Sequence, residues 1–218
     1  MFIKGYLNPY LMRLFYHSKN IGILFWIPVF VFIFLIPFLN YLAYTRNGID
    51  EDLYLNIIRY GQWLMPFFSV WHVIFILRES VEAEGYELFY MTGHRLKITD
   101  VLGIFGISLI FITLLFMVYG LMLPNMWLEY LRILSICFLF LGIVYGVTYW
   151  FKSITPTILI LILYVFGTTV MVNHDPVFLL FYTLEVMSWQ LFLSHYLILV
   201  VMGGLFFMTG HVASKKYG

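Results

Sequence analysis

The chain has 218 residues, of which 63% are hydrophobic, 21% aromatic and only 11% charged, and its mean hydropathy is +0.94. Soluble domains are about 25% charged, so twelve Lys and Arg with eleven Asp and Glu cannot coat a water-facing globule of this length. Disorder and disulfide scaffolds are excluded by the many Phe and Tyr and the single cysteine, and a net charge of +1 gives no footing for nucleic acid.

The reading is an all-α integral membrane protein: one transmembrane domain over residues 1–218, with six spans and no room for a separate soluble domain. Met1–Lys19 carries Ile3, Leu7, Tyr10, Leu11 and Leu14 at helical spacing, with Lys4, Arg13 and Lys19 elsewhere. Asn8-Pro9 reads as an N-cap followed by proline at the first helical position. The expectation is an amphipathic helix lying in the membrane interface.

Six apolar stretches follow: Ile21–Tyr44, Ile57–Leu77, Val101–Leu123, Leu131–Phe151, Thr155–Val172 and Leu191–Thr209. Each approaches the roughly 20 residues that a spanning helix needs. The first is too long for a signal-peptide core and should stay as a span, bent near Pro28 or Pro37. Cys137 sits in an apolar stretch and reads as a small buried hydrophobe.

Two further segments stand outside the spans. Arg78–Lys97 places Glu79, Glu82, Glu84 and Glu87 before His94, Arg95 and Lys97. Acids first and bases last suit a helix macrodipole, with Gly93 as a closing residue, so a short helix at the membrane surface is expected. Asn173–Gln190 is too apolar for a solvated loop and too short for two crossings. It reads as a re-entrant turn, or as a last span that begins early and tilts.

Basic residues set the orientation. With the N-terminus inside, Lys4, Arg13, Lys19, Arg78, Arg95, Lys97, Lys152, Lys215 and Lys216 face inward, against Arg46, Arg59 and Arg132 outside. That bias puts both termini in the cytoplasm. Trp63, Trp127, Tyr130 and Trp189 then fall near the outer headgroups.

The spans carry no acid or base near their middles, which argues against an ion-coupled pump. His72 and His195 read as interhelical hydrogen-bonding groups rather than a proton path. Gly103, Gly106, Gly203 and Gly204 mark places where helices could approach closely. No HExxH, CxxC, P-loop or Ser/His/Asp set occurs, and His174, Asp175 and Glu185 are too scattered to indicate a metal. The expectation is a non-enzyme with no metal or cofactor of its own.

The acidic segment, Glu79-Ser80-Val81-Glu82-Ala83-Glu84-Gly85-Tyr86-Glu87-Leu88 running on to Met91-Thr92-Gly93, resembles the loop after the second span in permeases of type-2 ATP-binding cassette transporters. Six spans match that family's layout. In place of its usual pattern this chain has Tyr86 for threonine, Glu87 one residue early and Gly93 where proline is common. The resemblance implies that Glu79, Glu82, Glu84, Gly85, Tyr86 and Glu87 form a coupling helix docking into an ATPase. It also implies that Met1–Lys19 is a connecting helix and Lys152-Ser153-Ile154-Thr155 a second cytoplasmic contact. Residues 173–190 would form the outer gate, with Leu180, Phe181 and Glu185 as its residues. ATP and Mg would belong to the ATPase subunits, and a second copy or homologous permease would complete the path.

On this reading the chain is an exporter subunit in a bacterial plasma membrane, and its aromatic, uncharged spans suit a lipophilic or amphipathic cargo such as a peptide or lipid. The rival expectation is a membrane scaffold or assembly factor that recruits a cytoplasmic partner without ATP-driven movement.

Overall fold

The computed structural model describes residues 9–49, 51–82, 98–170 and 186–216, and every regular element among them is helical. The first helix, α1 (Pro9–Ile21), is described from Pro9 onward, so the Asn8 cap and the residues before it lie outside the described residues. The helix breaks at Gly22, whose φ of +65° suits a residue without Cβ.

The first long apolar run is not a uniform helix. A 3-10 turn (Gly22–Phe25) leads into α2 (Trp26–Phe30), then a π-helical turn (Val31–Leu35), then α3 (Ile36–Asn47). Both irregular turns precede the prolines expected to bend the span. Pro28 has no N–H to offer the Leu24 carbonyl, and Trp71 Nε1 donates to that oxygen at 3.1 Å. The wider π turn lies where the Pro37 ring meets the preceding turn.

A second run joins α4 (Glu51–Ser69) to α5 (Trp71–Glu82) across a bend at Val70. Pro66 inside α4 removes a helical hydrogen bond just before that bend, and the Ser69 hydroxyl donates to the Pro66 carbonyl at 2.7 Å. The remaining helices are α6 (Ile98–Met122), α7 (Met126–Phe151), α8 (Thr155–Val170), a short α9 (Trp189–Leu191) and α10 (Leu197–Lys216). A π-helical turn, Phe192–Tyr196, joins the last two.

Five runs are long and apolar enough to cross a membrane: Leu14–Arg46, Leu53–Glu82, Ile98–Met122, Met126–Phe151 and Trp189–Lys215. The fifth expected stretch, Thr155–Val172, corresponds to a helix of 16 residues. Its described part runs from Thr155 to Val170, and residues 171–185 lie outside the described residues. The six-span expectation therefore meets five runs of spanning length among the described residues. Large apolar side chains such as Phe34, Leu121, Leu163 and Met208 stand exposed on the outside, which is compatible with a multi-pass membrane protein.

Helix α7 is the axis of the bundle, packed against α4, α5, α6, α8 and α10. Its contact with α10 is the tightest. A Cβ on Gly146 would stand 2.6 Å from the Phe206 carbonyl oxygen, and one on Gly203 would stand 2.7 Å from that of Phe138. Gly142 abuts Gly203 in the same seam, and Gly210 abuts Gly146. Of the glycines expected to permit close approach, Gly203 does so within the chain, while Gly106 and Gly204 face open space.

Candidate functional site

Two polar junctions close the two ends of this bundle. At one end, α5 runs straight through Arg78, Glu79 and Glu82 as the continuation of the second apolar run. Glu79 and Glu82 therefore continue the helix of the second apolar run, and residues 83–97 lie outside the described residues. Glu82 serves a different helix. Its Oε1 accepts from Ser153 Oγ and from the Ile154 backbone N–H, both at 2.7 Å.

This geometry follows from how α7 ends. Lys152 takes the left-handed conformation with φ of +51°, turning the chain sharply so that α8 starts only three residues later, at Thr155. Ser153 Oγ also accepts from the Thr155 N–H at 3.3 Å. Ser153 and Glu82 together satisfy donors at the opening of α8, where a carboxylate is favoured by the helix dipole. Arg78 Nε stands 3.7 Å from Glu82 Oε2, a largely exposed pair that adds little. Asp100 is buried in the first turn of α6 at this same end.

Thus the structure brings together Glu82 and the Lys152–Thr155 turn, which the sequence reading named as two separate contacts. Glu79 lies exposed one turn before Glu82. Glu84, Gly85, Tyr86 and Glu87 lie outside the described residues, as do Leu180, Phe181 and Glu185.

The other end holds a junction that sequence reasoning missed. Glu129 and Arg132, in the first two turns of α7, are 2% and 0% exposed. Glu129 Oε2 pairs with Arg132 Nε at 3.3 Å. Glu129 Oε1 accepts from the Tyr54 hydroxyl of α4 at 2.6 Å and from the Met187 backbone N–H at 2.9 Å. The Arg132 guanidinium lies over the Tyr196 ring at 5.4 Å, and its Nη2 donates to the Met187 sulfur at 3.6 Å. One carboxylate thereby ties α4 and α7 to the strand of chain leading into the last helix. The sequence reading places Arg132 among the outer charges, and the structure buries it. Its readable signal was the Glu-x-x-Arg spacing, which puts both groups on one helical face at the edge of an apolar run.

A third polar contact lies between these ends. His72 Nε2 donates to the Phe25 carbonyl at 2.9 Å, and Nδ1 meets Ser108 Oγ at 3.2 Å. The interhelical role expected of His72 is present. His195 differs: it is exposed, and its ring nitrogen Nδ1 meets the neighbouring Ser194 Oγ at 2.7 Å. No group of His, Cys, Asp and Glu suited to a metal occurs among the described residues, and Cys137 is buried.

No protein-family model, curated protein or solved structure matches the chain.

Proposed function

We propose that the chain is the membrane permease subunit of an ATP-driven exporter, working with separate ATP-binding cassette ATPase subunits. A second copy or a homologous permease completes the path, both termini face the cytoplasm of a bacterial cell, and the cargo is lipophilic or amphipathic. The observation that supports this reading is the Glu82 junction. A partner that pushed on the acidic segment beyond Glu82 would push on α5 and, through two short hydrogen bonds, on the turn between α7 and α8. Helix α7 is the axis against which α4 and α10 pack, so displacement at one turn reaches most of the bundle.

The chain has no P-loop of its own, so energy must come from outside it. The experiment is co-purification from native membranes followed by ATP turnover. The expected result is an associated ATPase whose hydrolysis depends on this subunit and falls when Glu82 and Ser153 are both changed to Ala. A partner that binds without nucleotide turnover would support the scaffold instead, and no ATPase partner at all would remove the exporter reading.

A further inference from the structure

The inward-facing residues of the last run step unevenly. Leu199 and Tyr196 are buried, Leu191 packs against the core and Met187 is buried, at intervals of three, five and four residues. A regular α-helix leading into Tyr196 would instead bring Phe192 and Trp189 inward. Trp189 is 58% exposed and Met187 only 4%. The five-residue step is the π-helical turn Phe192–Tyr196, after which the Leu197 N–H donates to the Phe192 carbonyl. That turn takes up one residue more than an α-helix needs between Leu191 and Tyr196.

Local sequence does not impose the extra residue. No proline stands between Val186 and Lys216, whereas Pro37 follows the π turn of the first span. Ser194 Oγ donates to the Gln190 carbonyl at 2.9 Å and to the Leu191 carbonyl at 3.3 Å, bonds that stay within its own helix. The contacts to α7 are what fix the run, and they lie on both sides of the turn. After it, the Tyr196 ring lies under Arg132 at 5.4 Å, and Gly203 and Gly210 seat α10 against α7. Before it, the Met187 N–H donates to Glu129 Oε1 at 2.9 Å, and the Met187 sulfur accepts from Arg132 Nη2 at 3.6 Å. One buried ion pair thus grips the run at two points with the surplus residue between them. Such a pair is a poor source of net stability, and its best-attested use is to fix register.

We propose that Phe192–Tyr196 is a register switch with two settings, and that Glu129 and Arg132 are the latch that holds the π setting. In the released setting Met187 leaves the pair and the turn relaxes to α-helix. Residues 186–191 then turn by about 100° and move by about 1.5 Å, which brings Phe192 and Trp189 inward. Tyr196 and the glycine seam keep their places, so α10 stays on α7 while the segment before it moves. Packed elements change between discrete arrangements of this kind rather than deforming smoothly. This inference goes beyond the exporter reading and does not rest on it.

The test reads which residues face outward. Nitroxide labels are placed singly at Trp189→Cys and Leu191→Cys in the full chain with Cys137→Ser, in phosphatidylcholine nanodiscs, and their accessibility to molecular oxygen is measured. In the parent the label at 189 should be the more accessible. Glu129→Leu combined with Arg132→Met removes the latch without leaving a lone charge, and the order of the two labels should reverse. Glu129→Gln with Arg132→Met keeps an acceptor for the Met187 N–H, so it should narrow the difference, and it serves if the first pair does not fold. An unchanged difference in the variants would overturn the latch. Deletions test the surplus residue separately. Loss of Ser194 should leave an all-α run that melts with the parent and keeps the parent order of labels. Loss of Val200, between Tyr196 and the glycine seam, should melt well below it. Equal destabilisation by the two deletions would show that the turn holds no spare residue, and would overturn the switch.

Discussion

Glu129 and Arg132 stand one helical turn apart on α7, their Oε2 and Nε 3.3 Å apart and both side chains almost sealed from the outside. An i,i+3 pair on an exposed helix is worth only tenths of a kcal/mol. Here the surroundings change the arithmetic, because each charge has given up water and is held by its partner and by Tyr54 and Met187.

Removing one partner should therefore cost far more than the pair itself contributes. Glu129→Ala and Arg132→Ala are each expected to destabilise the chain by about 3–5 kcal/mol, because a buried charge is left alone. Glu129→Gln combined with Arg132→Met removes both charges and should recover most of that loss. The measurement is thermal or denaturant unfolding in detergent, read as a double-mutant cycle. Additive losses, or single variants within 1 kcal/mol of the parent, would show that the two side chains act independently.

The helical architecture was legible because apolar run length survives any uncertainty in boundaries. The irregular first span at Pro28 and Pro37 was legible for the same kind of reason: proline removes a donor wherever it stands. Arg132 was not legible, because a charge at the edge of an apolar run reads equally as a loop residue or as a helical one. Only the burial of Glu129 beside it decides. Glu82 was legible as an acid at a helix end but not as a cap for α8, which lies 72 residues further on. Of the seam of Gly142 and Gly146 against Gly203 and Gly210, only Gly203 was marked from sequence, since a small residue in an apolar run does not show which helix it meets.

At the Glu82 junction the two hydrogen bonds converge on one oxygen, so the amide of Gln can replace the acid as an acceptor. Glu82→Gln should leave the opening of α8 largely intact. Glu82→Ala should loosen it by about 1 kcal/mol, the usual worth of a capping acceptor. Hydrogen exchange at Ile154 and Thr155 reads this directly. Equal protection in the Ala variant and the parent would show that the contact does not hold the turn.

His72 makes a prediction about proton position. The Phe25 carbonyl can only accept, so Nε2 carries a hydrogen, and the Ser108 hydroxyl is the donor to Nδ1. Nitrogen NMR of labelled protein should show the Nε2–H tautomer. Ser108→Ala should cost about 1–3 kcal/mol by leaving a buried acceptor without its donor. A Nδ1–H tautomer would reverse the assignment.

Orientation is tested by single cysteines in a Cys137→Ser background. With both termini in the cytoplasm, a membrane-impermeant thiol reagent added to intact cells should label Asp175→Cys and spare Glu84→Cys. The reverse pattern would invert the assignment of the Glu82 junction to the cytoplasmic end and would disconnect it from any cytosolic ATPase.

The seam between α7 and α10 sets the sharpest steric prediction. Gly142 and Gly146 lie one turn apart on α7, and the α10 backbone passes so close that a Cβ on Gly146 would stand 2.6 Å from the Phe206 carbonyl oxygen. That neighbour is backbone, so no side chain can rotate away and the helices themselves must separate. Separation would loosen the contact that seats Tyr145 against Phe207, whose rings stack at 4.3 Å. Gly146→Ala is therefore expected to destabilise by about 1–3 kcal/mol, the range for overpacking, and Gly146→Leu to prevent stable assembly. Gly106→Ala and Gly204→Ala are the controls. Both sit in helices with open space beside them, and the better helix former should leave stability equal or raise it by up to about 1 kcal/mol. Unfolding midpoints of the four variants in one detergent decide the matter. If Gly146→Ala behaves like Gly204→Ala, the two helices do not meet through this seam.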